Sequence, residues 1–183
     1  MSVGQAVEDL YIAHWGEATR RARFQDSSLT IDVLKWDASA TSEGVTIYAT
    51  VGASASVTTQ QSGHLVEFFL GLSLARDEVA SALAALGLYA AHHDADLDHG
   101  HTVPSDEPLW PGTTLRHFLI VRPQTEFLDP LVLPGGRHIE FLQAIPIFET
   151  EIAYKSQEGV DTLLGRWEAD RVAFWNPDRE PRP

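Results

Sequence analysis

The chain of 183 residues carries 26 acidic and 13 basic residues, which gives a formal net charge of -13. Nucleic-acid binding requires a basic surface that neutralises phosphates, so this balance excludes nucleic acid as a direct partner and, for the same reason, an anionic membrane surface. The chain has no cysteine, which excludes a disulfide framework, cysteine-ligated zinc, an iron–sulfur cluster and a cysteine nucleophile.

The first half of the sequence predicts one helix and three strands. Apolar residues at three- and four-residue spacing predict a helix over residues 3–15. Alternating apolar and polar residues predict strands over 29–34 and 45–51. The branched and aromatic residues of 64–72 predict a central strand, although this apolar run contains Glu67.

The middle of the sequence predicts a helix followed by two further strands. Helical spacing over 76–93 is interrupted only by Gly87, which costs helix stability and therefore indicates a close packing contact. Strands are predicted over 115–121 and 139–148. The stretch LPGGR at 133–137 has hairpin-turn composition and directly precedes the last of these strands.

The end of the sequence predicts two short helices and a tail. The helices cover 152–155 and 160–167 and are separated at Gly159, and the proline-rich residues 176–183 predict a loose tail. The order of elements contains no internal repeat. It predicts that residues 1–183 form a single α+β domain, with a mixed, mostly antiparallel β-sheet flanked by α-helices.

The cellular location is predicted from what the sequence does not contain. Its start has neither the basic segment nor the apolar segment that a secretory signal needs. No uncharged apolar stretch reaches the ~20 residues that span a bilayer. Together with the absence of cysteine, which fits a reducing compartment, these features lead us to expect a cytoplasmic protein.

A histidine-rich stretch, HHDADLDHGH at residues 92–101, offers one enzymatic hypothesis. Imidazole and carboxylate groups are ligands that zinc and other divalent ions prefer. A metal-dependent hydrolase would use a set of side chains from this stretch, namely His92, His93, Asp96, His99 and His101. The spacing does not place two ligands on one helical face, however. The favoured alternative is a solvated acidic loop without metal.

Two neighbouring carboxylates, Glu149 and Glu151, suggest a general acid and base pair. They follow a predicted strand directly and stand where the next helix begins. Acidic residues are stabilised at a helix N-terminus by the helix dipole, which explains them without catalysis. The phosphate-binding glycine patterns G-x-x-x-x-G-K-[ST] and G-x-G-x-x-G are absent. The sequence therefore predicts no catalytic residue and no cofactor.

One charge feature indicates a binding surface. Between Arg76 and Arg116 the sequence contains acidic residues but no lysine or arginine. Aromatic residues surrounded by charge are common at protein interfaces, and the alternative is an ordinary solvated face. The candidate partner-binding residues are Asp94, Asp96, Asp98, Asp106, Glu107 and Trp110.

Several segments together resemble the suppressor-of-fused domain family in its short bacterial form. These segments are GHLVEFFLGL, LDHGHTVPSDEPL, HIEFLQAIPIFETEIAYKSQEGVDTLL and the terminal NPDR. The block from residue 141 to residue 164 carries most of the likeness, with F-L-Q in a strand, an apolar segment, E-I, then a glycine and L-L. The similarity covers residues 5 to 180.

The resemblance implies an α+β fold and a protein that is not an enzyme. Animal members hold a zinc-finger transcription factor but carry a further C-terminal region, so that role is not transferred. Bacterial members are commonly immunity proteins that neutralise a polymorphic toxin, and a basic toxin domain suits the acidic balance of this chain. A scaffold for a regulator, without a toxin, is the alternative.

Overall fold

The computed structural model describes residues 2–55, 64–93, 96–123 and 127–182. The elements in chain order are α1 (Val3–Trp15), β1 (Arg20–Gln25), β2 (Thr30–Trp36), β3 (Thr46–Val51), β4 (His64–Leu72), α2 (Val79–His93), β5 (Thr102–Pro104), β6 (His117–Val121), β7 (Leu131–Val132), β8 (His138–Ile147), α3 (Glu149–Glu158) and α4 (Val160–Ala169).

All eight strands of the described ranges belong to one sheet. The strand order is β1-β2-β3-β4-β8-β6-β5, and β7 pairs with β8 beside this path. Strands β4 and β8 are parallel, from His64 opposite His138 to Phe69 opposite Gln143. The other pairs are antiparallel. The prediction of an α+β domain with a mixed, mostly antiparallel sheet is confirmed.

Helices cover both faces of the sheet because successive strand residues point to opposite sides. In β8, Leu142 joins the core cluster beneath α2, whereas Phe141 joins the cluster beneath α1 and Ile145 the one beneath α4. Helices α1 and α4 therefore share one face, α1 over β2 to β4 and α4 over β6 and β8. None of the helices of the described residues is both long and apolar enough to cross a bilayer.

Gly87 lies where α2 approaches the loop that follows β3. A Cβ atom added at this position would stand 3.2 Å from the Cβ of Ala53 and 3.5 Å from a side-chain carbon of Ile31. The first distance is tighter than most contacts of a Cβ atom, and the second is an ordinary van der Waals contact. The predicted close packing contact is confirmed.

Three of the strands were not predicted from the sequence. Strand β1 contains three arginines and forms one edge of the sheet, where Arg23 donates to Asp32 of β2 at 2.8 and 2.9 Å and Arg21 also contacts that carboxylate. Strands β5 and β7 have three and two residues. Both are too short to show the alternation of apolar and polar residues that marks a strand.

The last residues of the chain lie against the domain. The guanidinium of Arg179 pairs with Glu151 at 2.5 Å, and the side chains of these residues are 5% and 0% exposed. Asp178 pairs with Arg76 at 2.8 Å. These contacts over residues 176–182 do not fit the loose tail that the sequence predicts, since a buried ion pair holds them.

Candidate protein-binding surfaces

The predicted acidic surface lies between α2 and β6, around the edge strand β5. The charge of Asp98 is paired within the protein, because Arg122 donates to both of its carboxylate oxygens at 2.7 and 2.9 Å. This hydrogen bond raises the pKa of the Arg122 guanidinium. Asp98 is also half-buried, so it contributes less negative charge to the surface than the exposed acids.

Three of the predicted residues present unneutralised charge. Asp96, Asp106 and Glu107 are exposed, and they have no ion pair among the described parts of the chain. Trp110 is only 4% exposed and belongs to the core cluster beneath α2. Burial removes its side chain from the surface, so it is a core residue rather than an aromatic anchor. Asp94 lies outside the described residues.

The segment of residues 96–107, which carries these acids and is called the acidic segment, is fixed to α3 by a lysine. Lys155 donates from Nζ to the carbonyl oxygen of Gly100 and to Oγ1 of Thr102, both at 2.6 Å. Burial lowers the pKa of this ammonium group. Lys155 and the pair between Asp98 and Arg122 hold residues 98–102. The N–H groups of Ser105 and Leu109 donate to the carbonyl oxygens of Arg116 and Leu115 at 2.7 and 3.0 Å, so Asp106 and Glu107 stand on a positioned surface.

The histidines of residues 92–101 do not converge. His92 contacts Asp26, Nε2 of His99 lies 3.2 Å from Asp161, and Nδ1 of His101 accepts the N–H of Asp98 at 3.0 Å. No group of three or more potential ligands that could hold a metal ion occurs within the described ranges. The histidines are thus spread over separate local contacts, which does not favour the hydrolase hypothesis.

We expect that dialysis against EDTA leaves the melting temperature unchanged, because these histidines have protein partners and no shared centre. The measurement is calorimetry before and after dialysis, together with metal analysis of protein purified without a histidine tag. Stoichiometric zinc, or a fall in melting temperature that added zinc reverses, would contradict this expectation.

Glu149 and Glu151 lie in the first turn of α3, as the sequence predicts, but in different environments. Glu149 is exposed and Glu151 is fully buried. The carboxylate of Glu151 accepts the N–H of Phe148 at 3.0 Å and two hydrogen bonds from Arg179 at 2.5 and 2.8 Å. Glu151 therefore links residue Arg179 to the start of α3. The two acids do not form a general acid and base pair.

A second surface was missed by the sequence analysis. Two neighbouring cavities of about 520 and 390 Å³ lie on the sheet face that α1 and α4 share. Gln143, Phe174 and Trp175 line both of them. We call the two cavities together the Gln143 groove. The one sequence signal was Gln143 itself, a polar residue in the buried strand β8.

The comparisons with known proteins agree with the fold. The suppressor of fused protein (SUFU) family matches residues 28–180. A solved SUFU homologue from Neisseria gonorrhoeae FA 1090 has a TM-score of 0.72 and 19% identity, over 98% of this chain and 96% of that chain. The structure of the Sufu–Fu complex has a TM-score of 0.69 and 15% identity, over 97% of this chain and 89% of that chain.

Drosophila Suppressor of Fused gives a TM-score of 0.66 and 15% identity, over 98% of this chain and 50% of that one. This chain thus spans about half the length of the Drosophila protein. No curated protein matches the sequence. At such identities the solved structures establish the shared fold, and the family match over most of the sequence establishes membership. This chain belongs to the suppressor-of-fused family.

Proposed function

We propose that this chain is a cytoplasmic, non-catalytic immunity protein that binds and neutralises a basic toxin domain. The observation that carries the proposal is the positioned acidic surface, where Asp96, Asp106 and Glu107 are exposed and form no ion pair with a described residue. Unpaired like charges on a held segment favour a partner of opposite charge, because complementary potentials accelerate association and fix its orientation. The net charge of -13 acts in the same direction.

Family membership supports protein binding as the general activity. A suppressor-of-fused relative has been solved in complex with Fu. The catalytic arrangements considered from the sequence find no support in the described residues, since the histidines are separate and Glu151 is occupied by Arg179. A scaffold that binds a regulator, with no toxin involved, is the alternative that rests on family membership alone.

The mechanism we propose is occlusion of the toxin's active site. A domain that cleaves nucleic acid binds phosphates with a basic cleft. The carboxylates of Asp106 and Glu107 would occupy the positions of those phosphates, and the body of the domain would exclude the substrate. Neutralisation then needs no chemical reaction. It needs a complex that dissociates slowly, so that the active site of the toxin stays covered.

Reversal of two charges tests the surface. We expect the double variant Asp106→Lys with Glu107→Lys to associate with the toxin domain about tenfold more slowly at low salt, since rim charges act mainly on the association rate. Its salt dependence should also be flatter. Stopped-flow fluorescence at several salt concentrations measures both effects.

The matched control reverses two exposed acids elsewhere, Glu17 beside β1 and Asp129 before β7. It changes the net charge by the same amount and should slow association much less. Equal rates for the two double variants would show that only net charge matters and would remove this surface from the interface.

Co-expression tests the toxin role itself. Where a large secreted protein is encoded beside this chain, bacteria that express its C-terminal domain should stop growing, and co-expression of this chain should restore growth. The two proteins should also co-purify. A toxic domain that this chain neither rescues nor binds contradicts the immunity role and leaves the scaffold alternative.

A further inference from the structure

The Gln143 groove has aromatic walls that the core holds in place. In the larger cavity, the rings of Trp167 and Phe174 stack with centroids 6.0 Å apart. In the smaller cavity, Phe69 and Phe127 stack at 4.9 Å. Trp175, which lines both cavities, is 42% exposed and thus opens the groove to the surface. Rigid apolar walls of this kind bind apolar groups without a large ordering cost.

The amide of Gln143 lies between the two cavities. It is half-buried on β8, and no described residue donates to its oxygen or accepts from its nitrogen. Its neighbours on the same face of the strand, Phe141 and Ile145, are buried apolar residues. A side-chain amide carries both a donor and an acceptor, the combination that matches one peptide group.

Arg171 gives a second, independent sign of a ligand. It lies after α4 in the left-handed region, with φ of 54°, and it is the one non-glycine residue with positive φ among the described parts of the chain. The N–H of Arg171 donates to the carbonyl oxygen of Glu168, and the N–H of Val172 donates to that of Trp167. These two hydrogen bonds end the helix in a motif that usually has glycine at the position of Arg171.

The side chain of Arg171 explains why glycine is absent there. It lines the larger cavity, is exposed, and has no ion pair with any described residue. A non-glycine residue kept in a disfavoured backbone conformation points to a function of its side chain. A free guanidinium beside an apolar cavity suits an acidic group on the ligand.

The other end of the groove carries the opposite charge. Glu43 lines the smaller cavity, and its nearest basic group is His14, at 4.0 Å. Two arginines, Arg122 and Arg171, and one acid, Glu168, line the larger cavity, whereas Glu43 is the charged residue of the smaller one. The groove therefore has a net basic end and an acidic end, with the amide of Gln143 between them. An extended peptide can place one side chain in each cavity and a charged residue of opposite sign beside each end.

We propose that the Gln143 groove binds an extended peptide segment of a partner protein. One apolar side chain enters each cavity, and Gln143 hydrogen-bonds the peptide group between them. An acidic residue of the segment pairs with Arg171 and a basic residue with Glu43, which fixes the direction of the peptide. The groove meets the acidic surface at Arg122, which lines the larger cavity and pairs with Asp98. The exposed acids Asp96, Asp106 and Glu107 do not line either cavity, so the inference does not depend on the proposed toxin.

The test uses a phage-displayed library of random twelve-residue peptides, panned against the intact chain. We expect enrichment of sequences with two large apolar residues flanked by an acid on one side and a base on the other. Affinity of the selected peptides is measured by fluorescence anisotropy. No enrichment, or enriched peptides without this pattern, would overturn the proposal.

Variants locate the binding. Gln143→Leu keeps the size of the side chain and should weaken the selected peptides about tenfold, since the peptide group loses its partner. Arg171→Gly should raise the melting temperature by about 2–4 °C, because glycine fits the left-handed position. The same variant should weaken peptides with the acidic residue at least tenfold, and those with alanine in its place far less.

The matched control is Arg137→Ala, at an exposed arginine in the turn before β8 that does not line the groove. It should leave peptide affinity unchanged. If Arg171→Gly lowers the melting temperature and leaves affinity unchanged, Arg171 is a structural residue and the proposal is wrong. Equal affinity of the selected peptides for wild type and Gln143→Leu also contradicts it.

Discussion

Arg179→Met is expected to lower the free energy of unfolding by about 3–5 kcal/mol, because it leaves a buried carboxylate without its counter-charge. Glu151 is fully buried, and Arg179 supplies two of the hydrogen bonds to its oxygens. The guanidinium also donates to the carbonyl of Pro146 at 3.0 Å and lies over the rings of Phe148 and Trp167. Equilibrium unfolding in urea measures the change.

Two controls separate this pair from the tail in general. Glu151→Gln combined with Arg179→Met removes both charges but keeps an acceptor for the N–H of Phe148, so it should recover most of the loss. Asp178→Asn breaks the neighbouring pair with Arg76, which is partly exposed, and should cost less than about 1 kcal/mol. A loss below 1 kcal/mol for Arg179→Met would show that water reaches Glu151.

The long elements of the fold could be predicted because their buried faces repeat. Helix α1 was predicted with its observed bounds, Val3–Trp15, and strand β4 likewise, as His64–Leu72. Helix α3 was found but predicted too short, since its first turn carries acids rather than an apolar face. Burial of one face produces the pattern of α1, and burial of both faces produces the apolar run of β4.

The edge strands could not be predicted for the opposite reason. Strand β1 buries little. It pairs along its whole length with β2, and its arginines form ion pairs with Asp32 and with acids from distant parts of the chain. A run with arginines at residues 20, 21 and 23 looks like a solvated loop until the position of these acids is known. Sequence periodicity reports burial, and it does not report ion pairs formed by folding.

The candidate sites show the same limit. The sequence identified the acids around β5 but not which of them remain free, because the pairing of Asp98 with Arg122 depends on β6 lying beside the segment. Trp110 was grouped with them by its neighbours in sequence, whereas its ring is in the core. The Gln143 groove combines residues from Glu43 to Trp175, which no local pattern connects.

The buried carboxylate of Glu67 shows why this acid interrupts an apolar strand. It accepts hydrogen bonds from Oγ1 of Thr50 at 2.6 Å and Oγ of Ser54 at 2.7 Å. The N–H groups of Gly52, Ala53 and Ser54 also donate to it, at 3.0, 3.2 and 3.0 Å. Glu67 therefore ties the loop after β3 to the centre of the sheet, and five donors depend on one side chain.

Glu67→Ala is expected to lower the free energy of unfolding by about 3 kcal/mol or more, because several buried donors lose their acceptor at ~1–3 kcal/mol each, partly offset by water that enters. Urea unfolding measures this loss. Glu67→Gln keeps the volume but turns an NH₂ group toward the donors, so it should also destabilise, by less. If Glu67→Ala costs under 1 kcal/mol, the loop does not depend on this carboxylate.

The pH dependence isolates the charge of Glu67. Burial raises the pKa of this carboxyl above its ordinary value of 4.5, although hydrogen bonds from Thr50 and Ser54 act in the opposite direction. As pH rises from 4.5 through the folded-state pKa, the folded protein holds more of this proton than the unfolded chain, so stability falls. Glu67→Gln lacks this titration. The stability advantage of the wild type over Glu67→Gln should therefore shrink with rising pH, and an advantage that grows would mean that the five hydrogen bonds outweigh burial.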